Sequence, residues 1–246
     1  MSEFKKIKKN IILLLVILGF SSIPYASSKV HTMYEFTSEY LPGNERIDYE
    51  ITALDAGLNG KATVSIKKIV QLDMDMLLIR SESTMGETDR ENWEVKLVKD
   101  DLTPFMFELT TQRGEQTSNY TGSISGKEIT INVRATGQEP QEKIFSKGSK
   151  FYVSTMMPYL LRNISFETGD WYTFNMLQVE QGQFTTPIIQ VKDKEIVDVP
   201  AGMYECWKVS IKIGGNQHWA WYAVKEPHFL IRYQYPEKEI KMSRHY

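Results

Sequence analysis

The chain has 246 residues, of which 24% are charged, and a formal net charge of −2 at pH 7. With 29 basic and 31 acidic residues in near balance, electrostatic binding to nucleic acid or to an anionic membrane has no basis in the composition. The single cysteine excludes an intramolecular disulfide, so the fold depends on apolar burial and hydrogen bonds.

The first predicted element is a secretory signal peptide over residues 1–28. Four lysines precede an unbroken apolar run from Ile11 to Phe20, and small and polar residues follow. The apolar run is too short to span a bilayer, which takes about 20 residues. We therefore expect export and removal of this segment, which takes away four lysines and one glutamate and leaves a net charge of about −5.

Cleavage after Ser28 places Ala26 and Ser28 at the two positions where small residues are required. Cleavage after Ala26 would instead place Pro24 at the outer of these positions, so we predict cleavage after Ser28. No cysteine lies near this junction to carry a lipid. The expected product is a periplasmic protein that is not a lipoprotein.

Most of the chain after residue 28 alternates between apolar and polar residues with period two, and turn residues interrupt the pattern about every ten positions. In "KATVSIKKIV", for example, Ala62, Val64 and Ile66 share one side of a strand. Glycine-containing turns such as those at Gly86 and Gly126 separate such runs. The pattern predicts an all-β, antiparallel domain over residues 29–246, with about ten to twelve strands.

One segment, "SKFYVSTMMPYLLRNI", departs from this alternation. Its apolar residues recur at helical spacing, Ser154 is available as an N-cap, and Pro158 is tolerated only near the start of a helix. These features predict a short helix over residues 154–162. A short apolar helix in an all-β chain typically covers an open face or end of the sheet.

Aromatic residues concentrate in the carboxyl-terminal half of the chain. In "NQHWAWYAV", Trp219 and Trp221 share one face of the predicted strand, whereas His218 and Tyr222 share the other. Large rings on both faces indicate that one face packs on a core and the other is covered or lines a cavity.

No motif predicts catalysis, a metal site or a cofactor. "GSISG" has Ile124 where the nucleophile of a hydrolase elbow would stand, and none of the four histidines lies three to five residues from another. Cys206 lies within a strand with no histidine near it in sequence, which favours a buried structural thiol over a nucleophile. The alternative for metal binding or acid-base work is a pairing of His218 with His228 across a hairpin.

Three stretches of the carboxyl-terminal half, "MMPYLLRNISFETGDWYTFNMLQ", "VKDKEIVDVPAGMYECWKVSIKI" and "WAWYAVKEPHFLIRYQYP", together resemble the domain of unknown function 3108 family of Gram-negative envelope proteins. The resemblance covers roughly residues 150–236. The positions that carry it are Tyr159, Leu161, Arg162, Gly169, Val199 to Gly202, Trp221 and Arg232.

This resemblance implies a twisted antiparallel sheet that curls into an incomplete barrel, similar in outline to the periplasmic carriers of lipoproteins. In those carriers a concave apolar face holds acyl chains beneath a helical lid. The family has no established catalytic residues, so the resemblance assigns none to this chain.

We expect a non-enzymatic periplasmic protein that holds a lipid or another apolar ligand between the sheet and the short helix. The alternatives are an envelope structural or interaction domain whose core is filled and, third, a hydrolase-type enzyme. The side chains expected to line the cavity are Met156, Met157, Leu160, Leu161, Trp171, Trp207, Trp219, Trp221 and Tyr233.

Overall fold

The computed structural model describes residues 28–246, so the predicted signal peptide lies outside the described residues except for Ser28. Fifteen strands of this part of the chain form one large sheet and three form a small one. The strands of the large sheet are β1 (Val30–His31), β2 (Asn44–Ala53), β3 (Asn59–Gln71), β4 (Met74–Met85), β5 (Asp89–Val98), β6 (Pro104–Arg113), β7 (Gln116–Ser125), β8 (Glu128–Ala135), β9 (Gln141–Ser146), β11 (Trp171–Thr173), β14 (Ile188–Val199), β15 (Gly202–Ile213), β16 (Asn216–Ala223), β17 (Leu230–Gln234) and β18 (Lys238–His245). The small sheet contains β10 (Tyr152–Val153), β12 (Met176–Gln178) and β13 (Gln183–Thr185).

The large sheet has the order β1-β11-β14-β15-β16-β17-β18-β2-β3-β4-β5-β6-β7-β8-β9. All its neighbouring strands are antiparallel except β1 and β11, which are parallel. The sheet curls on itself without closing, and β1 and β9 are its two ends. The predicted fold class, an all-β open barrel with one short helix, is confirmed.

The concave face of the sheet carries the core because the alternation of each strand is in register with that of its neighbours. One row of directly paired residues, each at most 1% exposed, runs across β3, β4, β5, β6 and β8. Its members are Ile66, Ile79, Val95, Phe107 and Ile131.

Gly122 on β7 interrupts this row between Phe107 and Ile131. The ring of Phe107 covers it so closely that a Cβ at residue 122 would lie 1.9 Å from a ring carbon. Glycine is thus required here for packing, because the aromatic ring occupies the space that a side chain would need.

At the other end, the row reaches Glu45 on β2, which pairs directly with Ile66 and is 4% exposed. A carboxylate in an apolar row is unfavourable unless it has a partner of opposite charge. The helical segment supplies that partner.

The helical segment comprises a 3-10 turn (Ser154–Met156), the α-helix α1 (Met157–Leu160) and a second 3-10 turn (Leu161–Asn163). The predicted helix over residues 154–162 is therefore present, with a 3-10 turn at each end. The proposed N-cap was wrong, because Val153 occupies the capping position and no side chain caps the segment. Pro158 lies at the start of α1, where it costs no intrahelical hydrogen bond.

Candidate functional site

An open cleft of about 420 Å³ lies at one end of the barrel, which we call the outer cleft. Antiparallel hairpins bring their turns to this end, because β2–β3, β4–β5, β6–β7 and β17–β18 all reverse direction here. Its lining includes Ile51, Ala53, Ser83, Met85, Asp89, Arg90, Glu91, Arg113, Glu237 and Lys238.

A smaller inner cavity of about 50 Å³ lies beneath the helical segment and adjoins the outer cleft. Ile51, Ser83, Glu91 and Lys238 line both spaces. The sheet contributes further side chains from β2 to β5 and from β17 and β18, and the helical segment covers them. These further lining residues are Tyr49, Ala62, Ser81, Trp93, Thr155, Pro158, Tyr159, Leu230, Tyr233, Tyr235 and Ile240.

The rim of the outer cleft carries charged side chains, some of which form ion pairs with one another. The Arg113 guanidinium lies 3.9 Å from the carboxylate of Asp89 and 3.5 Å from that of Glu91. The pKa of the exposed Glu180 carboxyl is raised, mainly by partial desolvation and also by the nearby charge of Glu91. Arg113 and Lys238 oppose this shift. The rim therefore offers both signs of charge to a bound molecule.

Phenols that stay neutral form much of the lining of the inner cavity, whereas the charged Glu91 and Lys238 lie where it adjoins the outer cleft. Burial raises the pKa values of Tyr49, Tyr159 and Tyr233 above the ordinary value, because the phenolate would lose its hydration. The Tyr49 hydroxyl already donates a hydrogen bond to the carbonyl of Leu230, at 3.2 Å. The cavity thus combines apolar surface with uncharged hydroxyl groups.

His218 contacts two of the tyrosines that line the inner cavity. Its Nδ1 is 3.3 Å from the Tyr233 hydroxyl, and its ring packs edge-on against Tyr235. Burial lowers the pKa of His218, and the nearby Glu237 opposes this effect. His228 does not face His218 but packs against Tyr40 and Phe166, so the weak alternative of a histidine pair is wrong.

A buried ion pair holds the helical segment over the cavity. Nη1 and Nη2 of Arg162 donate to the two carboxylate oxygens of Glu45 at 2.7 and 3.0 Å, and both side chains are at most 2% exposed. The Nε of Arg162 also donates to the Pro227 carbonyl at 3.0 Å, and its guanidinium stacks on Phe229. One side chain thus fixes the helical segment to β2 and to the connection between β16 and β17.

The structure separates the nine predicted cavity residues into three groups. Tyr233 lines the inner cavity itself. The four residues of the helical segment are at most 3% exposed and fill the space between this segment and the sheet, and they are Met156, Met157, Leu160 and Leu161. The four tryptophans lie elsewhere, and ligand contact by all nine side chains stays a prediction.

Trp171 and Trp207 are half-buried on β11 and β15, and the indole of Trp207 stacks on Phe166 with ring centroids 6.1 Å apart. Trp219 and Trp221 alternate with Ala220, the direct partner of Tyr233. They therefore lie on the face of the sheet opposite to the inner cavity.

On that outer face, charged groups cover the two indoles. Lys208 Nζ lies 5.0 Å from the ring of Trp219, and the Arg232 guanidinium lies 4.4 Å from the ring of Trp221. The Trp221 indole N–H donates to Glu195 at 2.5 Å. These contacts give the outer tryptophans a packing role on β15 to β17.

Cys206 is fully buried on β15. Burial, with a smaller effect of Glu195 and Glu205, raises the pKa of its thiol to about 12. A thiol in this setting is protonated at neutral pH and is a poor nucleophile. The structural interpretation of Cys206 fits this environment.

Within residues 28–246, no group of three or more histidine, cysteine, aspartate or glutamate side chains has the arrangement of a metal site. In the same range, no helix is both long and apolar enough to cross a membrane.

Sequence reasoning missed most of the lining of the inner cavity. Tyr235 lies two positions beyond Tyr233, so period-two alternation was the signal that could have added it. Tyr49 and Trp93 lie in the amino-terminal half, outside the aromatic-rich stretches on which the predicted cavity was based. A lone arginine within the apolar run "YLLRNI" was the signal for the buried charge of Arg162.

Comparisons with known proteins identify a family and a fold. The model of the family described as "Protein of unknown function (DUF3108)" matches residues 48–239. No curated protein matches the chain. The structure of a β-barrel-like protein of domain of unknown function DUF1849 from Brucella abortus is similar, with a TM-score of 0.50, 9% identity, and coverage of 82% of this chain and 96% of that one. A protein with a YmcC-like fold from Bacteroides fragilis has a TM-score of 0.36 and 9% identity, covering 87% of this chain and 99% of its own.

Proposed function

The chain belongs to the DUF3108 family of proteins of unknown function, and we propose that it is an exported, non-enzymatic binding protein of the Gram-negative periplasm. Its ligand is an apolar or amphiphilic molecule such as a lipid, held at the outer cleft with its apolar end directed beneath the helical segment. The observation that carries this proposal is that the open cleft and the inner cavity adjoin and share four lining residues, which are Ile51, Ser83, Glu91 and Lys238.

The sizes of the two spaces define how such a ligand is held. The outer cleft, at about 420 Å³, falls within the range of small-molecule sites. The inner cavity, at about 50 Å³, has room for one or two groups of the size of a water molecule, which occupies about 30 Å³. Most of the ligand therefore lies in the outer cleft, and deeper entry requires the helical segment to move.

The chemistry of the lining fits an amphiphile. Buried phenols and the indole of Trp93 supply apolar surface and neutral donors to the inner end of the ligand. Arg90 and Lys238 at the rim supply positive charge to an anionic or zwitterionic head, and Glu91 lies beside them. The buried end of the ligand then needs no charge, which avoids the cost of desolvating one.

A tryptophan at Ser83 tests this site directly. Ser83 lines both spaces, and its hydroxyl donates to the Glu91 carbonyl at 3.1 Å, so an indole at this position would occupy space where the two adjoin. The matched control is Ser123→Trp, at an exposed position of β7. Both variants are isolated from the periplasm beside the wild type and examined by native mass spectrometry.

We expect the wild type and Ser123→Trp to retain a co-purified apolar molecule and Ser83→Trp to lose it. Equal retention by Ser83→Trp would place the ligand elsewhere. Wild-type protein without any bound molecule, and without binding to a detergent-solubilised envelope lipid extract, would contradict the proposal.

The second candidate function is an envelope interaction domain with a filled core. It is favoured by the burial of the helical segment, whose residues from Met156 to Asn163 are all buried. Ile196 and Met203, which are 66% and 75% exposed on β14 and β15, would then contribute to a protein-binding surface. Absence of a ligand, together with loss of a cross-linked envelope partner in Ile196→Asp/Met203→Asp, would favour this alternative.

A further inference from the structure

The first described residues of the chain are held by a buried carboxylate. The backbone N–H of Lys29 donates to Asp170 Oδ1 at 2.8 Å, and the Lys29 carbonyl accepts from the N–H of Trp171, also at 2.8 Å. Beyond Lys29, the short strand β1 pairs in parallel with β11. Lys29, the residue that follows the predicted cleavage site, is thus held through both its backbone N–H and its carbonyl.

Asp170 is deeply buried, yet only one of its two carboxylate oxygens accepts a hydrogen bond among the described residues. The residue is 1% exposed, and its Oδ2 has no hydrogen-bond partner in the described part of the chain. Nε2 of His31 lies 3.5 Å from this oxygen and also has no hydrogen-bond partner among the described residues. A buried carboxylate oxygen without a donor is costly, and a charged donor beside it would remove that cost.

We propose that Asp170 is the receptor for the α-amino group of the mature amino terminus, which cleavage between Ser28 and Lys29 creates. Hydrolysis breaks the Ser28–Lys29 peptide bond, the oxygen of water passes to the Ser28 carbonyl carbon, and the nitrogen of Lys29 becomes an ammonium group. The ammonium has three N–H donors and a positive charge where the amide had one donor, so it also serves the oxygen that lacks a partner. This inference depends on the export part of the proposed function but not on ligand binding.

The chain at Ser28 passes close to the backbone of Gly169, the neighbour of Asp170. Gly169, whose φ is +92°, lacks the Cβ that would lie 3.2 Å from Cβ of Ser28. After removal of the residues up to Ser28, the pairing of β1 with β11 keeps the nitrogen of Lys29 in place. Cleavage after Ala26 would instead leave an uncharged amide at this position.

The other titratable groups around the proposed ion pair are His31, Glu167, Tyr34 and Tyr172. His31 stacks on Tyr172 at 4.5 Å, and Tyr34 meets both rings edge-on. The side-chain Nζ of Lys29 lies 3.6 Å from Glu167 at the surface. Only the α-amino group changes its charge through cleavage, so a difference between cleaved and uncleaved chains isolates it.

The test compares four chains, which begin at Lys29 or at Ser28 and carry Asp170 or Asp170→Asn, each produced with a native amino terminus by release from a cleavable fusion. We expect the Tm of the chain that begins at Lys29 to exceed that of the chain that begins at Ser28 by about 4 °C or more at pH 6. In the chains that carry Asp170→Asn, we expect this difference in Tm to fall to about 1 °C or less. In the chains that carry Asp170, the difference should decrease as pH rises above about 7.7, where an α-amino group loses its charge. Equal Tm values for the two Asp170 chains, or an equal difference in both backgrounds, would overturn the proposal.

Intact mass of the protein isolated from the periplasm supplies an independent readout. A chain that begins at Lys29 supports the proposal, and any other amino terminus contradicts it. Because neither measurement involves a ligand, failure here is distinguishable from failure of the proposed binding function.

Discussion

The buried pair of Glu45 and Arg162 makes the strongest prediction about stability. Glu45→Gln keeps the size of the side chain but leaves the guanidinium of Arg162 buried without a counter-charge. Both partners are nearly inaccessible, at 2% and 0%, and two hydrogen bonds of 2.7 and 3.0 Å join them. Removal of one partner of such a pair costs about 3–5 kcal/mol.

The assay is reversible unfolding by urea and by heat. A loss of about 3–5 kcal/mol corresponds to a decrease in Tm of about 6–20 °C for a chain of this size. The control is Glu94→Gln in the exposed pair with Arg80, which is expected to cost about 1 kcal/mol or less. The double variant Glu45→Leu/Arg162→Met, which removes both charges, should recover most of the lost stability.

A cost of Glu45→Gln no greater than that of Glu94→Gln would show that the buried pair contributes no more than the exposed one. A double variant as unstable as Glu45→Gln would show that the loss arises from packing and not from an uncompensated charge.

Three further predictions concern the rest of the barrel. Cys206→Ser should leave ligand binding intact and lower the free energy of unfolding by about 1–3 kcal/mol, since it buries a hydroxyl, and the native thiol should resist alkylation at pH 8 until urea unfolds the chain. Gly122→Ala should cost about 1–3 kcal/mol in urea unfolding through its clash with Phe107, whereas Gly148→Ala, which meets nothing within 4 Å, should change stability by about 0.5 kcal/mol or less. Burial lowers the pKa of His218, so in acid the unfolded chain binds more protons than the folded chain. The free energy of unfolding should therefore decrease as pH falls below about 6.5, the ordinary pKa of histidine, and should be unaffected by this residue above it. Urea unfolding at pH 5 and pH 8 should show a smaller difference in His218→Phe than in the wild type, and an unchanged difference would refute this assignment.

The fold class was predictable because most long strands alternate over much of their length and many tight turns carry glycine. The turn between β3 and β4 is an exception, since Leu72 and Asp73 both adopt positive φ there. The number of strands was not: residues 28–246 contain 18 strands, whereas ten to twelve were predicted. Strands of two or three residues, such as Val30–His31 and Tyr152–Val153, contain too few positions to show a period.

The candidate site was predictable only in part. The apolar spacing of Met157 and Leu160 located the helical segment, and alternation located Tyr233, but nothing local to Arg162 could identify a partner 117 residues away. The position of Glu45 at the end of an apolar row depends on the pairing of β2 with β3 and of β3 with β4, and that register exists only in the folded sheet. Long-range pairing of this kind is set by tertiary packing and not by local pattern.

The central claim is that an apolar ligand reaches the space beneath the helical segment, and Trp93 lies there as a natural reporter. Its indole is 7% exposed, lines the inner cavity and lies 6.0 Å from the ring of Tyr159. The decisive measurement is quenching of tryptophan fluorescence by a fatty acid brominated on its acyl chain, in the wild type and in Trp93→Phe. We predict saturable quenching in the wild type that is largely lost in Trp93→Phe. Quenching of equal extent in both proteins would place the ligand against the outer tryptophans and contradict the account, as would the absence of quenching in the wild type.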